Sequence, residues 1–140
     1  MVDAFAASLG AKMSAAFPKA VVRYDGENLS LSFGVSDDNF AHVLVDFTCL
    51  DEDDKGTVAV HARPDYVFEP HWQEVDINNT ITRTLITADG TRFEGGDGSD
   101  GHEYPDGLGD TVWMLDISRD EELIASLAVG LAALCAVAFE

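Results

Sequence analysis

Residues 93–110, FEGGDGSDGHEYPDGLGD, hold Glu94, Asp97, Asp100, Glu103, Asp106 and Asp110, with glycine and proline between them and no lysine or arginine. Carboxylates at such spacing could hold a hard cation. The EF-hand form of that chemistry needs oxygen donors at alternate positions and a glycine at the sixth. A loop starting at Asp97 places Gly101 fifth and His102 sixth, and the pattern fails. The expectation is therefore no metal ion and no cofactor.

The same acids could instead imitate a nucleic-acid backbone. Three extended residues span at most about 10 Å, whereas duplex DNA carries one charge per ~1.7 Å of axis. One strand of this spacing is too sparse. Mimicry requires the fold to gather several acidic segments: Asp37-Asp38, the run Asp51, Glu52, Asp53 and Asp54, the 94–110 loop, and Asp120-Glu121-Glu122. All fall at expected turns or element ends, so a common rim is possible. Trp72, near Tyr66 and Phe68, stands in an acidic stretch and is either core or an aromatic anchor for a basic partner.

Nothing else points to catalysis. His71 lies near Glu69 and Glu74 without the spacing that puts two ligands on one helix face, and His42 and His61 fall in expected strands. His102 sits among carboxylates, which favour its charged form. No serine or cysteine has an activating neighbourhood, and the glycines match neither dinucleotide nor phosphate-loop spacing. Cys49 and Cys135 lie in apolar runs and read as two buried, reduced thiols. The chain is not expected to be an enzyme.

Charge is the dominant global feature: 26 acids against 8 bases among 140 residues, a formal net of −18. Solubility asks for a magnitude of about 2–8 in a small domain, and the surplus repels itself. Direct binding to nucleic acid or to anionic lipid is disfavoured, since both draw on Lys and Arg. Cationic partners are favoured. Asp3 and the missing basic n-region argue against a secretory signal, giving a cytoplasmic expectation.

The elements that must carry these residues form one α+β domain, residues 1–140. Apolar content of 46% supports a packed core. Val2, Phe5, Leu9, Met13 and Phe17 make a helical stripe that Pro18 ends. About five or six mostly antiparallel strands follow. Two flank Asp25-Gly26, AHVLVDFTCL pairs through the DEDDKG turn with TVAVHARPDYVF, ITRTLITADGTRFE forms a hairpin at Asp89-Gly90, and DTVWMLDI is the last strand. FEPHWQEVDINN has no clear period and reads as loop or a short helical turn. A buried C-terminal helix closes the chain and begins at Asp120 to Glu122. Leu123, Ile124, Leu127, Leu131, Leu134 and Val137 should face the sheet. Ala125, Ala128, Ala132, Ala133 and Ala136 should face the first helix or a second copy in a homodimer. The apolar stretch 123–139 is at the short edge of the roughly 17–25 residues that span a bilayer; it lacks basic flanks, so no membrane span is expected.

These features favour a small acidic binding or inhibitor protein that occludes the basic groove of a nucleic-acid-binding protein. Immunity proteins and phage-type inhibitors of defence machinery fit that description. One alternative is a homodimeric secretion-type chaperone, which the chain resembles in charge, length and element order. Another is a salt-adapted domain, consistent with having only Lys12, Lys19 and Lys55 as lysines.

Overall fold

The structure is a computed structural model and describes residues 2–36, 39–63, 65–87, 90–94 and 111–139. It is an α+β fold. Helix α1 (Val2–Ala16) is followed by strands β1 (Val21–Tyr24), β2 (Asn28–Ser36), β3 (Asn39–Asp46) and β4 (Thr57–Arg63). A helical turn α2 (Asp65–Phe68) and a 3-10 turn (Glu69–His71) lead to β5 (Trp72–Ile77), β6 (Thr80–Ile86), β7 (Arg92–Glu94), β8 (Thr111–Asp116) and helix α3 (Ile117–Ala138). Five strands form one antiparallel sheet in the order β1-β2-β3-β4-β8, and β5-β6-β7 form a second.

Alternation decides the faces of the large sheet. Leu31 pairs with Val43 and Val43 with Ala62, while Val45 pairs with Val60 and Val60 with Trp113. These side chains are buried, and α3 lies across β2, β3, β4 and β8 while α1 packs on β1 and β2. On the opposite face stand Arg23, Ser30, Leu44 and His61 in one cross-strand row. Gly34, at φ 104°, sits where the β2–β3 register shifts, the place of a bulge.

Four sequence expectations are corrected. The stretch 57–68 is not all strand: β4 stops at Arg63, and Pro64, with no N–H to give a ladder, precedes a helical turn that buries Val67 and Phe68. FEPHWQEVDINN does hold the expected short helical turn, at Glu69–His71, but then continues as β5, joined to β6 through Asn78 and Asn79 at φ 53° and 66°, the left-handed pair of a type I′ hairpin. Cys49 is exposed, because β3 ends at Asp46 and leaves it in a turn; Cys135 is buried.

The fourth concerns α3. Ile124, Leu127, Ala128, Leu131, Ala132, Leu134 and Cys135 are buried, an arc of roughly 160° at 100° per residue. Leu123 and Val137 stay 41% and 60% exposed, so the inward face mixes leucine with alanine and is rotated from the all-leucine side. The side bearing Gly130 meets Thr87 at the end of β6: a methyl group at Gly130 would stand 2.5 Å from Thr87 Cγ2. The helix has the length and apolar composition of a membrane span, as a core helix also does, and its buried arc packs on the sheet.

The small sheet joins the large one through its first residue. The rings of Trp72 and Trp113 stack 5.7 Å apart at 11°, and Leu85 and Phe93 enter the common core.

Candidate functional site: an acidic end of the molecule

Antiparallel pairing brings separate acidic segments to one end. The register sets Asn28 against Asp46 and Thr57 against Asp116. The β1–β2 turn, the β3–β4 turn and the β8–α3 junction therefore share a rim. Backbone bonds stitch it together: Phe47 N–H to Glu27 O at 2.9 Å and Ile117 N–H to Gly56 O at 3.1 Å. The Val2 N–H donates to Asp54 Oδ2 at 3.1 Å, which brings the start of α1 to the same end.

The rim collects Asp3 from α1, Asp25 and Glu27 from the first turn, and Asp46 with Asp51, Glu52, Asp53 and Asp54 from the second. Asp116, Asp120, Glu121 and Glu122 come from the α3 junction. Within these segments the bases are Lys12 of α1, which lines a shallow pocket with Glu121 and Glu122, Lys55 and Arg119. Arg119 pairs with Asp120 at 2.8 Å, and that hydrogen-bonded pairing holds the Asp120 carboxyl below its usual range.

The carboxylates divide into two kinds. Some build the turns that carry them. Asp25 accepts the N–H groups of Glu27 and Asn28 at 2.9 and 2.7 Å, which lower its pKa. Asp46 accepts the Thr48 N–H and hydroxyl, Asp51 the N–H groups of Asp53 and Lys55. Asp116 caps α3 through the Ser118 N–H at 2.9 Å. Asp3 accepts the Tyr24 hydroxyl at 2.5 Å, which raises the phenol to about 12. Others, including Glu52, Asp53, Glu121 and Glu122, lie exposed on the rim. The positive ends of the α1 and α3 dipoles point to the same place and offset part of the repulsion.

Of the residues singled out in sequence, Asp51, Glu52, Asp53 and Asp54 are brought together with Asp120, Glu121 and Glu122. Asp51 and Asp54 hold the turn and the helix start, while Glu52 and Asp53 face outward. Glu94 ends β7, opposite Thr84, in the other sheet. Asp97, Asp100, Glu103, Asp106 and Asp110, like Asp37-Asp38, lie outside the described residues. Trp72 is half-buried and part of its ring covers Trp113. Asp3, Asp25, Glu27, Asp46 and Asp116 join the rim unforeseen; their only signal was an acid at the edge of an element. Among the described residues no group of three or more His, Cys, Asp or Glu is arranged to hold a metal ion.

No protein-family model matches the chain, and neither curated proteins nor solved structures give a significant match. The rim must speak through its own chemistry.

Proposed function

We propose that this protein is a small acidic binding protein that neutralises a basic, nucleic-acid-binding protein by covering its Lys/Arg groove. One observation carries the reading: four separate parts of the chain deliver carboxylates to one end, and several of these are exposed and do no work in the turns. Gathering charge at one end steers a basic partner toward that end and raises its association rate. Occlusion then denies the groove to nucleic acid.

Stopped-flow association with a basic nucleic-acid-binding domain tests this. The association rate is expected to fall by about tenfold between low and physiological salt as the field is screened. A salt-independent rate, or no binding to any basic groove, overturns it.

A second reading, a homodimeric secretion-type chaperone, is favoured by the exposure of Leu123 and Val137 on α3. Sedimentation separates the two: a stable dimer supports the chaperone, a monomer at all concentrations excludes it.

A further inference from the structure

We infer that a cleft between α1, the 51–55 turn and the start of α3 receives one arginine side chain of the basic partner, an inference that rests on the occlusion reading. The cleft holds about 550 Å³, within the roughly 300–1,000 Å³ of ligand sites. Its walls include the apolar side chains of Val2, Phe5 and Ile117. Ile117 keeps only 8% of its surface, and the Phe5 ring packs edge-to-face on Phe47 at 6.1 Å, so these two walls are backed by the core.

Asp53 and Glu121, both exposed and from different elements, also line it. Asp54 is committed to the Val2 N–H, which leaves Asp53 and Glu121 to meet an incoming cation. Among the described residues of the lining, Lys55 is the sole base. A groove that is apolar along its walls and anionic at its rim complements a long side chain with an aliphatic stem and a cationic tip. Arginine fits better than lysine: guanidinium is planar, weakly hydrated, stacks on an aromatic ring and binds carboxylate with two parallel bonds. A divalent cation would leave the apolar walls unused.

The test uses oligoarginine as the probe for affinity and N-acetyl-arginine amide as the probe for position. Asp53→Asn with Glu121→Gln removes two charges inside the cleft; Glu74→Gln with Asp76→Asn removes two exposed charges on β5, in the other sheet and outside the rim. The cleft pair is expected to weaken oligoarginine binding by about tenfold and the control pair by no more than about twofold. In amide NMR, N-acetyl-arginine amide should give saturable shifts around Val2, Phe5, Asp53 and Glu121, larger than those from guanidinium ion or N-acetyl-lysine amide. Equal losses from the two pairs, or shifts spread evenly over the rim, overturn the cleft while leaving occlusion by a diffuse field intact. Failure of the native protein to bind oligoarginine removes the occlusion reading and the cleft with it.

Discussion

The carboxylate of Asp54 accepts the backbone N–H of Val2 at 3.1 Å across 52 residues of sequence. It joins the β3–β4 turn to the first residue of α1. Asp54 itself sits at φ 57°, a conformation that Asp and Asn tolerate better than other side chains. Asp54→Asn keeps both an acceptor and that tolerance and should change stability by less than about 0.5 kcal/mol. Asp54→Ala loses the acceptor and strains the backbone, and should cost about 1–2 kcal/mol. Urea unfolding of the two variants checks the difference.

Gly130 and Thr87 give a sharper packing test. Alanine in place of a helical glycine ordinarily gains up to about 1 kcal/mol. Here the added methyl would meet Thr87 Cγ2 at 2.5 Å, and overpacking of this kind costs about 1–3 kcal/mol. Gly130→Ala should therefore destabilise. Adding Thr87→Ser removes the obstructing methyl, keeps the hydroxyl that donates to Thr91 O, and should restore stability to native or above.

The two thiols should differ in reactivity. Cys49 is exposed, whereas burial pushes the Cys135 thiol up to about 12, and only the thiolate attacks. A maleimide should modify one cysteine per native chain, at Cys49, and the second only after denaturation. Labelling of Cys135 at a comparable rate would mean that α3 leaves the sheet.

Alkaline stability should report on Tyr24. Its phenol is raised to about 12, chiefly by the hydrogen bond to Asp3, above the unfolded value of about 10. The raised value means the folded state holds the proton more tightly, so the contribution is complete below about pH 10 and disappears as pH climbs to about 12. The stability gap between the native protein and Tyr24→Phe should narrow across that window and stay level below it.

The trace of the fold was legible where local chemistry is strong. The spacing of Val2, Leu9 and Met13 announced α1, Asp25-Gly26 announced a turn, and the alternation of Leu29, Leu31 and Phe33 announced β2, because period and turn preference act within a few residues. Strand β5 is harder to read: Val75 and Ile77 alternate with Glu74 and Asp76 and Asn78-Asn79 can supply a hairpin turn, but the charged positions and the aromatic run before them mask the period. For Cys49, an apolar neighbourhood in sequence became a turn in space.

What the sequence alone determined is that this protein carries a large anionic surplus, that much of it lies at turns and helix starts, and that helices flank an antiparallel strand region. These follow from composition and short-range pattern. Only the tertiary structure decided that Asp3, Asp25, Asp53, Asp116 and Glu121 belong to one end, since that rests on strand register and on which way each antiparallel strand runs. It also decided which arc of α3 faces inward. Alanines at 128 and 132 let the helix approach the sheet, and Gly130 leaves room for Thr87 on another side, a choice made by shape complementarity that no single stretch of sequence contains.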